Sequence, residues 1–159
     1  LYAERTGKGY DPAAVMESIY ARGRDNARTP MQWTDGANAG FTTGKPWLPV
    51  NENHSAINVE AALADPDSVF YYYQKLIALR KQHEVFHRGS FTLLLPEDEQ
   101  RFVYRRDTED QHLLVICNFS AETAPLEDIE IPAAAQLQLA NYADRKEYLQ
   151  PYEARLYIW

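Results

Sequence analysis

Apolar residues recur with a helical period near the start of the chain. Within residues 11–22 they fall on one face at the i, i+4 spacing of an amphipathic helix: Val15, Met16, Ile19 and Tyr20. Asp11 can cap the first turn, and Pro12 suits the first helical position because a missing N–H costs nothing there. The pattern predicts a helix over residues 11–22 that ends at Gly23.

A stronger helical pattern covers residues 66–82, and its apolar positions are Val69, Tyr72, Tyr73, Leu76 and Ile77. Asp65 can serve as the cap and Pro66 as the first helical residue. Cationic side chains crowd the other end, where the helix dipole favours them: Arg80, Lys81 and His83. We predict a helix over 66–82 in which at most two of the three tyrosines at 71–73 face a core.

After residue 88 the period changes to two, as in half-buried strands. The expected strands are 90–95, 101–106, 112–119, 126–131, 136–141 and 152–159. Short strands every ten or so residues, with no helices between them, indicate an antiparallel β-sandwich. We expect its core to contain Phe102, Tyr104, Leu114 and Ile116. The domain boundary is predicted near residue 88.

Composition excludes several classes of protein. The 159 residues carry a formal net charge of −7, which disfavours nucleic acid and anionic membrane surfaces as partners. A single cysteine, Cys117, permits no internal disulfide, and we expect a cytoplasmic protein with an inert buried thiol. The four histidines lack the spacing of a zinc site, so neither a metal nor a cofactor is expected.

Residues 23–56 are rich in Gly, Pro, Asn, Asp and Thr, and a loop of that length in a compact domain suggests a function. Arg24 and Arg28 lie four residues apart in it, with Asp25 and Asn26 between them. Guanidinium forks and paired acceptors can recognise sugar hydroxyls or a carboxylate. The alternative is an internal ion-pair network, since Asp25 can neutralise either arginine. Trp33 and Trp47 are expected to pin this loop to its own domain.

Three ordered motifs of this loop resemble one family: residues 24–33, residues 38–47 and residues 57–59. They resemble the C-terminal third of the α-glucosidases of glycoside hydrolase family 13. The resemblance covers nearly the whole chain, including residues 66–82, which are similar to the last barrel helix, and residues 149–154, which are similar to the start of the closing strand. The Leu-Tyr-Ala start, with neither an initiator Met nor a signal peptide, also suggests a fragment.

The resemblance implies an α+β fragment of a retaining α-glucosidase. Residues 1–88 would supply the last helices and the Arg-Asp-Asn substrate loop of a (β/α)₈ barrel, and residues 89–159 a C-terminal antiparallel β-sandwich. The catalytic Asp and Glu of such enzymes lie upstream of the matched region, so we expect the fragment alone to be inactive. The barrel helices, exposed in the fragment, are expected to promote self-association.

The resemblance assigns substrate binding to Arg24, which maps onto the arginine that reaches the glucose at the minus-one subsite. Structural roles in the loop are expected for Asp25, Asn26, Arg28, Gln32 and Trp33. The expected substrate is an oligosaccharide, cleaved at terminal α-1,6-glucosidic bonds of isomalto-oligosaccharides. Trehalose 6-phosphate is the alternative substrate, and Ala27 leans toward the 1,6-glucosidase branch. A stand-alone carbohydrate-binding β-sandwich module is the alternative from another class.

Overall fold

Short helices and irregular segments form residues 1–68, whereas two helices and two antiparallel sheets form residues 69–159. These are two separate compact units. The structure is a computed structural model that describes residues 1–159 except for the side chain of Asn26.

The first unit contains three α-helices: α1 (Tyr2–Gly7), α2 (Pro12–Arg22) and α3 (Val59–Ala64). Three short 3₁₀ helices lie between α2 and α3, at Asp25–Ala27, Ala37–Gly40 and Glu52–Ser55. The predicted helix over 11–22 is confirmed. Asp11 caps it as expected, because its carboxylate accepts a 2.8 Å hydrogen bond from the Ala14 N–H.

The second predicted helix begins later than expected. It is α4, which spans Val69–Gln82 and is followed by α5 (Val85–Arg88). The start at residue 66 is wrong because Asp65 organises a turn instead of a cap: its carboxylate accepts from the Asp67 N–H at 2.9 Å. Asp65 also ends α3, a helix that the sequence pattern did not predict.

Five strands form the larger sheet in the order β1-β2-β3-β7-β5, and all neighbours are antiparallel. These strands are β1 (Ser90–Leu94), β2 (Arg101–Asp107), β3 (His112–Asn118), β5 (Gln136–Ala140) and β7 (Ala154–Ile158). The smaller sheet pairs β4 (Ala124–Pro125) with β6 (Tyr148–Leu149). The α+β architecture with antiparallel sheets is therefore as predicted.

One predicted strand, over residues 126–131, is absent from the described structure. The chain turns there instead, because the Ile129 N–H donates back to the Leu126 carbonyl at 3.0 Å. Asp128 is also drawn into an ion pair with Arg101. Conversely, the pairing of β4 with β6 was not predicted, because a strand of two residues is too short to show an alternation of apolar and polar residues.

Two core clusters cover the two faces of the larger sheet. On one face, α4 packs through Tyr72, Leu76 and Leu79 against a cluster that includes Leu113 and Val115. On the other face, a second cluster joins residues from both sheets: Val103, Leu114, Ile116, Ala124, Ile129, Leu149 and Tyr157. This alternation follows from the opposite orientation of successive side chains in a strand.

The predicted core residues divide between these faces. Leu114 and Ile116 belong to the second cluster, and Tyr104 packs against the first. The prediction that Phe102 lies in the core is wrong, because 40% of this residue remains exposed. Because α4 packs on the sheet, the compact units of this chain separate between Ser68 and Val69. The domain boundary near residue 88 concerns a longer protein and stays a prediction.

Across the described residues, no helix combines the length and apolar character needed to cross a membrane.

Candidate functional site

Arg24 is positioned by the end of α2 and the turn that follows it. Gly23 leaves the helix in an extended conformation, and its N–H donates to the Ile19 carbonyl at 2.7 Å. A Cβ at Gly23 would lie 2.5 Å from that carbonyl oxygen, so the close approach requires glycine. The backbone then forms a 3₁₀ turn in which the Ala27 N–H donates to the Arg24 carbonyl at 3.1 Å. The sequence Gly-Arg thus fixes where the Arg24 side chain leaves the backbone.

The charged groups of this turn are exposed and unpaired within the described part of the chain. Arg24, Asp25 and Arg28 are all exposed, and none of their side chains forms a hydrogen bond or ion pair with a described group. The alternative of an internal ion-pair network is therefore not what this chain forms. The guanidinium of Arg24 keeps all its N–H donors available for a ligand. The side chain of Asn26, which we expected to support the loop, lies outside the described side chains.

Gln32 connects the loop to α3. Its side-chain amide donates to Asn53 Oδ1 at 3.0 Å and to the carbonyl of Ile57. The neighbouring backbone completes the connection: the carbonyls of Gln32 and Trp33 accept from the N–H groups of Val59 and Glu60 at 2.9 and 3.0 Å. These two N–H groups at the start of a helix have no intrahelical acceptor, so the loop supplies one.

Residues 38–40 form the most constrained part of the loop. Asn38, Ala39 and Gly40 all have positive φ values, of 50°, 54° and 67°. Ala39 is fully buried, and its carbonyl accepts from the N–H groups of Trp33 and Thr34 at 2.8 and 3.1 Å. The Asn38 amide donates to the carbonyls of Thr42 and Gly44. Buried backbone partners hold a conformation that an alanine rarely adopts.

The two tryptophans of this loop differ in exposure. Trp47 is 87% exposed and Trp33 is 48% exposed. The expectation that both pin the loop to its domain is wrong for Trp47, and Trp33 is held through its backbone. The indole of Trp47 is therefore accessible to groups outside this chain.

The residue types that bind metal ions do not cluster in the described part of the chain. Within the residues that the structure describes, no three His, Cys, Asp or Glu side chains stand close enough together to hold a metal ion. The Cys117 thiol is half-buried, and burial raises its pKa, which makes it a poor nucleophile at neutral pH.

Arg101 is the first of two buried arginines that sequence reasoning missed. Its guanidinium lies 2.6 Å from Asp98 Oδ2 and 2.7 Å from Asp128 Oδ2, and it donates to the Pro125 carbonyl at 2.9 Å. The hydrogen bond with Asp128 raises the pKa of Arg101, and Arg101 lowers the pKa of Asp98 chiefly through its backbone N–H. Arg101 therefore links Asp98, in the turn before β2, to Pro125 in β4 and to Asp128 in the segment that follows.

Arg155 forms the second buried ion pair, with Glu153. Its Nε donates to Glu153 Oε1 at 2.6 Å, and the two side chains are 5% and 0% exposed. Burial alone would lower the pKa of Arg155, but hydrogen bonds and charge interactions with Glu153 and Tyr157 together outweigh it, so the pKa lies above its ordinary value. The sequence signal that could have revealed this pair is the charged Arg155 among the apolar residues of β7.

A further charged cluster lies at the ends of β2 and β3. His112 Nδ1 lies 2.7 Å from Asp107 Oδ1, and Arg105 donates to Asp107 Oδ2 at 2.8 Å. Burial would raise the pKa of Asp107, but the hydrogen bonds from His112 and Arg105, together with the charges of these groups, lower it below its ordinary value. The imidazole of His112 stacks on Trp159 with ring centroids 5.2 Å apart.

Comparison with known proteins identifies the class of this chain. The family model for the alpha-amylase catalytic domain matches residues 3–89, more than half of the chain. The chain therefore belongs to the alpha-amylase family of glycoside hydrolases, and the predicted resemblance is confirmed.

Two of the similar curated proteins are oligo-1,6-glucosidases. The probable oligo-1,6-glucosidase 2 of Bacillus subtilis is 54% identical over 95% of this chain and 28% of its own length. The oligo-1,6-glucosidase of Parageobacillus thermoglucosidasius is 50% identical over 99% of this chain and 30% of its own. Among solved structures, trehalose-6-phosphate hydrolase of Bacillus licheniformis aligns with a TM-score of 0.84 and 38% identity, covering 99% of this chain and 30% of that one. The chain thus spans less than a third of the length of these relatives.

Proposed function

We propose that this chain is part of a retaining α-glucosidase that hydrolyses terminal α-1,6-glucosidic bonds of isomalto-oligosaccharides. The observation that carries the proposal is the identity of 54% and 50% with two oligo-1,6-glucosidases along nearly the whole chain. The family match to a catalytic domain over residues 3–89 favours a hydrolase over a stand-alone carbohydrate-binding module. The acid groups of the reaction would lie outside residues 1–159.

Within that enzyme, Arg24 would bind the substrate. Support comes from its exposed guanidinium, which has no partner among the described side chains, and from the fixed backbone at Gly23. A planar fork of donors can bind two neighbouring sugar hydroxyls and brace a carboxylate beside them. Gln32 and Trp33 would hold the loop through the contacts with α3, while Asp25 and Arg28 would act in the loop once the rest of the enzyme surrounds it.

The domain assignment belongs to the same proposal. Residues 1–88 would form the end of the (β/α)₈ barrel, which agrees with a family match that stops at residue 89. Residues 89–159 would form the β-sandwich, for which the two sheets and the cluster between them are the support. A cytoplasmic location is inferred from the single cysteine alone.

Hydrolysis of trehalose 6-phosphate is the second candidate function. It is favoured by the similarity to the trehalose-6-phosphate hydrolase structure, at 38% identity. A substrate phosphate calls for basic groups, and Lys45 is the only lysine between residues 23 and 56. The higher identity with oligo-1,6-glucosidases therefore decides our choice.

Chimeric enzymes would test the choice of substrate. Residues 1–159 would replace the matching segment of the Bacillus subtilis oligo-1,6-glucosidase 2 and, separately, of the Bacillus licheniformis trehalose-6-phosphate hydrolase. We expect the first chimera to retain the larger share of its host's activity, measured as kcat/KM on isomaltose and trehalose 6-phosphate, because the loop would match that host's subsite. The chain alone is expected to hydrolyse neither sugar.

Thermal unfolding of both chimeras would show whether they are folded. Greater retention in the trehalose-6-phosphate hydrolase would favour the second candidate function. Cleavage of any glucoside by the chain alone would contradict the assignment of the catalytic carboxylates to another part of the enzyme.

We also expect the chain alone to self-associate through α4. Its outer face exposes Val69, Tyr73 and Ile77 by 73%, 60% and 49%, and apolar patches of this kind promote association. Sedimentation equilibrium should give an average mass that rises with concentration. Tyr73→Lys/Ile77→Lys should abolish this rise, whereas the control Gln74→Lys should not. A constant monomer mass for the unmodified chain would refute the expectation.

A further inference from the structure

A cavity of about 500 Å³ lies within the sheet unit. Leu94, Val103 and Leu114 from β1, β2 and β3 line it on the side of the second core cluster. The segment after β4 lines it through residues 128–130 and Pro132. Its size falls in the range of about 300–1,000 Å³ that is typical of sites for small molecules. None of the residues of the Arg24 loop takes part in it.

The indole of Trp159 forms an aromatic wall of the cavity. It is held in place from two directions. His112 stacks on it with an interplanar angle of 26°, and the backbones of the two residues exchange hydrogen bonds of 2.9 and 3.2 Å. Asp107 in turn fixes the imidazole of His112. The wall is therefore preorganised, which reduces the entropy lost when a ligand binds.

Two polar side chains at the cavity are available to a ligand. Arg105 uses only its Nε on Asp107, so the two terminal nitrogens keep their donors free among the described groups. Glu130 lines the same cavity, is exposed, and has no hydrogen-bond partner in the described structure. Asp128 also lines the cavity, but both of its oxygens already accept from Arg101.

We propose that this cavity binds an uncharged sugar of one or two hexose units. A hexose ring presents C–H groups that suit the leucines and Trp159, and hydroxyls that can accept from Arg105 and donate to Glu130. An anion would meet the carboxylate of Glu130 in a chain of net charge −7. A cation would meet Arg105. Sugar binding in this cavity does not depend on the proposed hydrolase activity.

The test is a titration of the 159-residue chain with glucose, isomaltose and glucose 6-phosphate, followed by ¹H–¹⁵N NMR. The three tryptophans provide internal controls, since Trp33 and Trp47 belong to the other unit. With either neutral sugar we expect a saturable shift of the Trp159 indole N–H, assigned with Trp159→Phe, and no shift of the other two indoles. Glucose 6-phosphate should bind more weakly than glucose.

Two matched variants test the contacts. Glu130→Ala should weaken sugar binding roughly tenfold because a charge-assisted hydrogen bond is lost. Glu127→Ala, an exposed glutamate outside the cavity, should bind like the unmodified chain. The proposal is overturned if neutral sugars leave the Trp159 signal unshifted, if Trp33 or Trp47 responds instead, if the phosphate ester binds more tightly, or if the two glutamate variants bind alike.

Discussion

Arg155→Met is expected to lower the free energy of unfolding of the sheet unit by about 3 to 5 kcal/mol. Glu153 is fully buried, and Arg155 is the cation that faces its carboxylate at 2.6 Å. Among the described groups, removal of the guanidinium leaves the buried carboxylate with the Gln150 N–H, at 2.7 Å, as its one remaining donor. The carbonyls of Lys146 and Tyr148 also lose their donor. The cost arises mainly from the uncompensated carboxylate.

Urea denaturation would measure this effect through the fluorescence of Trp159, which packs against the second core cluster. Trp33→Phe and Trp47→Phe would remove the signals of the first unit, and both rings are exposed enough to be replaced.

Two further variants test whether the buried charge of Glu153 causes the loss of stability. Glu153→Gln in the Arg155→Met background should recover most of the lost stability, because the amide oxygen still accepts from Gln150 while the buried charge is gone. Arg145→Met, at a nearby exposed arginine, should leave stability unchanged. A double variant as unstable as Arg155→Met would show that packing, rather than charge, causes the loss.

Arg24→Lys is expected to lower kcat/KM on isomaltose about 100-fold in the active chimera with the Bacillus subtilis enzyme. Lysine keeps the positive charge but replaces the planar fork with a single ammonium group, so it cannot bind two hydroxyls at once. If the contact strengthens as the bond breaks, kcat should fall more than KM rises. Initial rates over a range of isomaltose concentrations would separate the two parameters.

Arg22→Lys is the matched control, because Arg22 is an exposed arginine in the last turn of α2. Its kcat/KM should equal that of the parent chimera. The same kcat/KM for Arg24→Lys and the parent would remove Arg24 from the substrate site and leave the loop with a structural role only.

The family and the main elements could be predicted from local patterns. Asp11 and Pro12 mark the start of α2 because a cap needs only its own first turn. The strands from β1 to β3 follow from their alternation and differ from the prediction by one residue at their ends. The motifs between Arg24 and Val59 identified the family, which the match over residues 3–89 confirms.

Long-range partners explain what the sequence did not predict. Asp65 could cap a helix by its local chemistry, yet it ends α3 and organises the turn before Val69. Residues 126–131 have the composition of a strand, but Asp128 pairs with Arg101, which lies 27 residues earlier in the chain. Phe102 alternates as a core residue would, and remains partly exposed.

By itself, the sequence determined the family, the helices α2 and α4, the five strands of the larger sheet, and the candidate role of Arg24. Only the tertiary structure decided that Glu153 is buried against Arg155, that Arg24 has no partner among the described side chains, and that Trp159 lines a cavity with Arg105 and Glu130. The physical reason is the range of the interactions. Caps and periods act within a few residues, whereas burial and ion pairing depend on side chains that only the fold brings together.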